Sequence, residues 1–100
     1  MNATLRATLF NLAMSATAYY VIRHRTIEAA GLDMQNFCLS VHFCLAESTA
    51  PVAEAELVQL LKVGIEIIEE DACASTGNVM AALAGARQVL AACQAAMVAP

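Results

Sequence analysis

The sequence predicts an all-α protein, with the single domain 1–100 folded as an antiparallel bundle of about four helices. Alanine, the best helix former, supplies 22 of the 100 residues, whereas proline occurs twice and glycine four times. Apolar residues recur every three or four positions, which is the spacing of one helix face. Capping and helix-breaking residues divide the chain into four such segments, approximately 2–30, 33–47, 51–71 and 77–98.

The segment 2–30 is the longest predicted helix. Its main apolar stripe has spacings of 4-3-4-3 and comprises Leu5, Leu9, Leu12, Ala16 and Tyr19. A second stripe lies beside it and comprises Phe10, Met14, Thr17 and Val21. We expect this helix to end at Gly31 in a left-handed cap, with Leu32 supplying the hydrophobic contact that accompanies such caps.

Start signals are clear for the second and third helices. Asp33 is expected to cap the second helix by accepting from backbone N–H groups of its first turn. Pro51 suits the first turn of the third helix, where a missing N–H costs no hydrogen bond, and Ser48 precedes it as a hydroxyl cap. The third helix is the most plainly amphipathic and carries Leu57, Leu60, Leu61, Gly64, Ile65, Ile67 and Ile68.

The segment 77–98 follows a break at Ser75–Asn78. Its apolar stripe has spacings of 4-3-4-3-4 and comprises Val79, Leu83, Ala86, Leu90, Cys93 and Met97. Small residues flank this stripe, so we expect a neighbouring helix to approach it closely.

Composition and helix lengths together favour self-association. Charged residues make up 14% of the chain, well below the roughly 25% of a typical soluble domain. The first helix would span about 43 Å and the second about 22 Å at the usual rise per residue, so the first helix either breaks or projects to pair with another subunit. Alanine also inflates the apolar count, which is the alternative explanation. We expect a homodimer or higher oligomer with an interface at Leu5, Leu9, Leu12, Ala82, Ala86 and Leu90.

The charge distribution points away from nucleic acids. The net charge is −4 and the only basic cluster is Arg23-His24-Arg25, whereas nucleic-acid binders present a basic face to phosphate. The predicted acidic partner surface lies at the end of the third helix and comprises Glu66, Glu69, Glu70 and Asp71. In an up-down bundle the first and third helices end at the same pole, so this surface is expected to meet Arg23 and Arg25, within or between subunits.

No pattern of catalytic, cofactor or metal-binding residues is evident. The nearest metal motif is Cys38, His42 and Cys44, but Cys44 points away from Cys38 on a helix and a structural zinc ion needs four ligands. No glutamate stands three residues before either histidine, which argues against a di-iron site. We predict no cofactor and interpret the four cysteines, Cys38, Cys44, Cys73 and Cys93, as core residues.

We also expect a cytoplasmic protein without a membrane segment. The uncharged run 7–22 holds 16 residues, including threonine, asparagine and serine, and is too short and too polar to span a bilayer. A signal peptide is disfavoured because helical periodicity continues past the small residues around Thr17 that resemble a cleavage site.

The sequence thus favours a non-enzymatic helical protein that acts through self-association and binding to another protein. One alternative is a small acidic inhibitor of the phage or plasmid type, which would occupy a basic site on a nucleic-acid-processing protein. A second alternative is a bundle that senses a ligand or redox state through its cysteines or an apolar cavity.

Overall fold

The computed structural model describes residues 2–46 and 52–98 of the chain. Within those residues it contains four α-helices: α1 (Asn2–His24), α2 (Leu32–Ala46), α3 (Glu54–Glu69) and α4 (Gly77–Val98). Two 3₁₀ turns, Ile27–Ala29 and Ala72–Ser75, lie between α1 and α2 and between α3 and α4. The predicted all-α bundle of about four helices is confirmed.

The helices form a flattened, rhombic bundle. The central pair, α1 and α3, contact each other and both edge helices, whereas α2 and α4 share no substantial contact among the described residues. Successive helices run antiparallel: Arg6, near the start of α1, donates to the carbonyl oxygen of Cys44, near the end of α2, at 3.2 Å. The bundle measures 46 × 30 × 18 Å, so α2 and α4 each leave one face uncovered by the chain.

The core is apolar throughout the described residues, which contain no buried polar or charged residue. Its largest fully buried side chains come from all four helices and from the second 3₁₀ turn: Leu5, Leu9, Leu12, Met34, Leu57, Leu61, Ile68, Cys73 and Val79. Burying a large aliphatic side chain stabilises a fold by about 1.5–3 kcal/mol relative to leaving it exposed. Most residues of the main stripe of α1 therefore pack in the core and stabilise the fold of the single chain.

The first helix ends earlier than the sequence predicts. It stops at His24, and Arg25 takes the left-handed conformation with φ of 64°, while its N–H bonds the carbonyl oxygen of Val21 at 2.9 Å. Gly31 does not have a positive φ, so the predicted cap at Gly31 is wrong. The chain turns here because Thr26 caps the short 3₁₀ turn through its side-chain oxygen, which accepts from the N–H of Glu28 at 3.1 Å. This turn brings Ala30 into the core.

Two other helix starts differ in detail from the prediction. Asp33 lies inside the first turn of α2 rather than before it, where its charge still suits the positive end of the helix dipole. The third helix begins at Glu54, after Ala53, which makes no side-chain capping bond. Pro51 and Ser48 lie outside the described residues.

A close helix contact joins α2 to α3. The ring of Phe37 lies so near Gly64 that a methyl group added there would collide with the ring. Glycine at this position lets the aromatic ring pack on the backbone of α3, and this fixes α2 along one flank of the bundle.

Candidate protein-binding surface

The structure places the predicted interface residues inside the chain's own core. Leu5, Leu9, Leu12, Ala82 and Ala86 are buried, and Leu90 is half-buried and packed against the core. Side chains covered by neighbouring helices have no surface left for a second subunit in this fold. The apolar stripes of α1 and α4 thus pack mainly within the chain. The interface expected at these residues stays a prediction, and the exposed apolar side chains lie elsewhere.

Large apolar side chains are exposed instead on the flank of α1 and the outer side of α2. Phe10 and Met14, from the second stripe of α1, are 54% and 48% exposed. On α2, Leu39 and Phe43 are 53% and 61% exposed and lie one helical turn apart. Of the second stripe of α1, Phe10, Met14 and Val21 lie at the surface and Thr17 is half-buried.

Beside Phe10 and Met14, between α1 and α2, runs a groove of about 420 Å³. It is lined by residues of α1 and α2: Phe10, Ala13, Met14, Thr17, Cys38, Val41, His42 and Leu45. The His42 and Phe43 rings are 5.8 Å apart, which connects the groove to the outer side of α2. We call the groove together with Leu39 and Phe43 the α1/α2 face. No lysine, arginine, aspartate or glutamate belongs to it.

The helix α2 carries large apolar side chains on both sides. Its inner side buries Met34, Phe37 and Val41, its outer side exposes Leu39 and Phe43 together with the polar Asn36, and its only formally charged residue is Asp33. Exposed large apolar side chains that lie close together often mark an interaction surface. Here α1 and α3 cover only the inner side, so the outer side lacks a partner within the described chain. This two-sided pattern is readable from residues 32–46 of the sequence and is the signal that the earlier prediction missed.

The cysteine in the groove is held in a neutral, internally bonded state. Cys38 accepts a hydrogen bond from the Thr17 hydroxyl at 3.5 Å, and its thiol lies 3.8 Å from the carbonyl oxygen of Ala13. Burial raises the pKa of the Cys38 thiol, and the hydrogen bond from Thr17 offsets that only in part. A protonated thiol is a poor nucleophile and a poor metal ligand.

The other thiols and the metal-binding side chains give no further site. All four cysteines are free, with Cys73 and Cys93 buried in the core and Cys38 and Cys44 half-buried. The described residues contain no group of three or more histidine, cysteine, aspartate or glutamate side chains placed to hold a metal ion.

The predicted acidic partner surface is partly neutralised within the chain. Glu69 forms an ion pair with Arg87 of α4 at 2.5 Å, and the carboxylate of Asp71 accepts from the Tyr20 hydroxyl at 2.5 Å. Glu66 and Glu70 are exposed. Two of the four carboxylates therefore serve contacts inside the bundle.

The basic cluster at the end of α1 has a different contact from the one expected. The guanidinium of Arg23 lies over the Tyr19 ring, 4.8 Å from its centre. Within the described chain neither Arg23 nor Arg25 pairs with the acidic residues that follow α3. This corrects the intrachain form of the expected contact; the form between subunits stays a prediction.

A partly buried polar junction, missed in the sequence, joins α1 to the turn after α3. Asp71 caps that turn by accepting from the N–H of Cys73 at 2.9 Å while it accepts from Tyr20. Burial alone would raise the pKa of Asp71, but these hydrogen bonds outweigh it and lower the pKa. Burial, then the Asp71 carboxylate, raises the pKa of Cys73 to about 12, and the same two causes raise that of Tyr20. The junction is structural, since the polar groups of Tyr20, Asp71 and Cys73 are hydrogen-bonded to one another.

The last helix is long and apolar. By length and composition, Gly77–Met97 is the one helix among the described residues that could cross a membrane, and core helices pass the same test. In the bundle, α4 packs on α1 and α3, and its Arg87 pairs with Glu69.

No protein-family model, curated protein or solved structure matches this chain. Its function is therefore inferred from the geometry of its surface.

Proposed function

We propose that this chain is a non-enzymatic interaction protein that associates with a second copy of itself through the α1/α2 face. The observation that carries the proposal is the outer side of α2, where Leu39 and Phe43 stand more than half exposed on a helix whose inner side is already buried in the core. Water contact with such side chains is unfavourable, and a symmetric partner would relieve it.

The size of the face suits a modest dimer interface. An aromatic side chain can bury about 150–250 Å², so Phe10 and Phe43 at their observed exposures present roughly 200 Å² together. Met14 and Leu39, with similar exposures, bring the apolar area to on the order of 400 Å². A standard interface buries about 800 Å² per partner, of which somewhat more than half is apolar. The face thus supplies most of the apolar centre that such an interface requires.

The absence of charge on the face favours a second copy as the partner. A two-fold interface places the same surface opposite itself, so each charge near the axis would meet a like charge. The α1/α2 face contains no lysine, arginine, aspartate or glutamate, and its residues come from the middle of α1 (10–17) and from residues 38–45 of α2. The carboxylates that follow α3 lie at the other pole, near Tyr20, where they would repel least.

Charge substitution at the centre of the face tests this proposal. Phe43→Lys puts two like charges into the contact and should lower the dimer affinity by a factor of about 30 or more, as expected for loss of an aromatic anchor and burial of charge. The matched control is Met80→Lys on α4, since Met80 is 56% exposed and lies outside the face. The affinities are measured by sedimentation equilibrium, with circular dichroism to show that both variants are folded.

Equal affinities for the two lysine variants and the unmodified chain would contradict the proposal. So would a monomeric unmodified chain at every concentration. A chain that is always monomeric would leave the apolar face available to a different protein, which is the second kind of interaction expected from the sequence.

A further inference from the structure

A second groove lies next to the α1/α2 face, between α1 and the start of α4. Its volume is about 630 Å³, within the range of 300–1,000 Å³ typical of small-molecule sites. Its lining comes from residues 11–23 of α1 and from residues 76–82. Only the Met14 ridge is common to this groove and the groove of the α1/α2 face.

One end of the groove carries a positioned positive charge. The Arg23 guanidinium rests on the Tyr19 ring, an arrangement that holds its plane while leaving its N–H groups available. Within the described chain Arg23 forms no ion pair. No aspartate or glutamate lines the groove, so the local charge is positive in a molecule whose net charge is −4.

The walls of the groove combine apolar and hydrogen-bonding groups. Ile22 is 80% exposed, the most exposed of the large apolar side chains described, and it lines the groove together with Met14, two helical turns earlier. Ser15 and Asn78 face the same space, and neither makes a side-chain hydrogen bond within the described residues. A cation at one end, apolar walls and a few polar groups together fit a ligand with a negative head and an apolar body.

We propose that this groove binds a small organic carboxylate with an aliphatic or aromatic body, its head paired with Arg23 and its body packed on Met14 and Ile22. A planar guanidinium fork matches the two oxygens of a carboxylate. A single cation suits a singly charged head better than a polyphosphate, which proteins hold with several donors or cations. This function goes beyond self-association and uses a different surface.

Octanoate tests whether the groove binds a ligand with a carboxylate head and an apolar body. Octanamide, which has the same chain length and a neutral head, is the comparison. Binding is followed by titration in ¹H–¹⁵N NMR, in which the backbone signals of Tyr19, Ile22 and Asn78 report on the groove. We expect octanoate to bind at least about fivefold more tightly than octanamide, the size of a partly exposed ion pair with hydrogen bonds. The shifts should concentrate on the two walls of the groove.

Two variants, each with a matched control, make the test specific. Arg23→Gln should weaken octanoate binding about fivefold and leave octanamide binding unchanged, whereas Arg25→Gln, outside the groove lining, should alter neither. Ala18 is an exposed residue in the groove lining, so Ala18→Phe should fill the groove and abolish binding of both probes. Ala84→Phe, exposed on the side of α4 toward Glu69, should bind both probes normally.

The proposal is overturned if octanoate fails to bind at about 10 mM, a concentration at which even millimolar sites are mostly filled. Equal affinity for octanoate and octanamide would overturn it too, as would unaltered octanoate binding by Arg23→Gln or Ala18→Phe. None of these outcomes bears on self-association, which is read from solution mass.

Discussion

At the scale of single residues, the polar contacts of this protein serve to lock helix ends. The Tyr20 hydroxyl and the Cys73 N–H converge on one Asp71 oxygen, and they tie the end of α1 to the turn that follows α3. A carboxylate that receives two donors while shielded from water is strongly held. The junction therefore links the end of α1 directly to the end of α3 through side-chain hydrogen bonds.

Removing the Tyr20 hydroxyl should destabilise the fold. Tyr20→Phe leaves the ring in place but takes one donor from Asp71, so the free energy of unfolding at pH 7 should fall by about 1–2 kcal/mol, the usual value for a hydrogen bond to a charged group. The matched control is Tyr19→Phe, since the Tyr19 hydroxyl makes no hydrogen bond within the described residues. Urea unfolding followed by circular dichroism measures both; an equal loss in the two variants would contradict this role of Tyr20.

The same junction predicts how stability depends on pH. The pKa of Asp71 is lowered from 3.8 in the fold, so its contribution is present above that pH and is lost as the pH falls through the folded value. The pKa of Cys73 is raised from 9.0 to about 12 and that of Tyr20 is raised from 10.0, so their contributions decline above about pH 9. Stability should therefore be greatest between about pH 5 and 9. In Asp71→Asn the loss on both sides should be smaller, and an unchanged profile would contradict the assignment.

At the scale of helices, close packing and chain reversal decide where each element sits. Gly64 allows the Phe37 ring to rest directly on the backbone of α3. Arg25, in the left-handed conformation, ends α1 and allows the chain to turn back toward α2. Neither structural role was evident from the sequence. A glycine within a helix, and an arginine that follows a helix, each occur in proteins for several ordinary reasons.

Adding a methyl group at Gly64 tests the contact between α2 and α3. Alanine normally favours a helix over glycine by about 1 kcal/mol, but at this position it would collide with Phe37. Gly64→Ala should therefore lower the free energy of unfolding by about 1–3 kcal/mol, the usual cost of overpacking. Gly85→Ala, in α4 with nothing within 4 Å of the new methyl group, should raise it by about 0.5–1 kcal/mol. Thermal unfolding of both variants measures these changes. If both substitutions stabilised the protein, the close contact between Phe37 and Gly64 would be contradicted.

The end of α1 can be tested with a second pair of substitutions. A left-handed conformation costs a residue other than glycine about 1–2 kcal/mol, part of which is returned as flexibility of the unfolded chain. Arg25→Gly should therefore stabilise the protein by about 0.5–1 kcal/mol. Gly31→Ala should change stability by less than about 0.5 kcal/mol, since Gly31 has no positive φ and has space for a methyl group. A marked loss on Gly31→Ala would instead favour the cap expected from the sequence.

The sequence predicts the helices better than it predicts the surface. Periodicity identifies all four helices and places residues such as Leu9, Leu61 and Val79 on faces that prove to be buried. The pattern alone does not say which of two adjacent stripes on α1 packs inward, because that depends on the angles at which α2 and α4 approach. For the same reason the interface was assigned to the core stripe, and Phe10 and Phe43 were not included.

At the scale of the whole molecule, the fold is flat because two central helices each carry an edge helix on opposite sides. A flat bundle of 100 residues leaves more apolar surface uncovered than a square one, and the uncovered area here is concentrated on α1 and α2. Self-association would bury this area while it leaves the carboxylates after α3 at the far pole. The groove at Arg23 shares only Met14 with this area.

The most direct test of self-association is the solution mass of the unmodified chain, measured by light scattering coupled to size exclusion at two protein and two salt concentrations. The chain has a mass of 10.5 kDa, so the proposal predicts twice that value at the higher protein concentration, with partial dissociation on dilution. Because the α1/α2 face is apolar and uncharged, added salt should leave the dimer intact or strengthen it. A mass of 10.5 kDa under all four conditions would contradict the proposal.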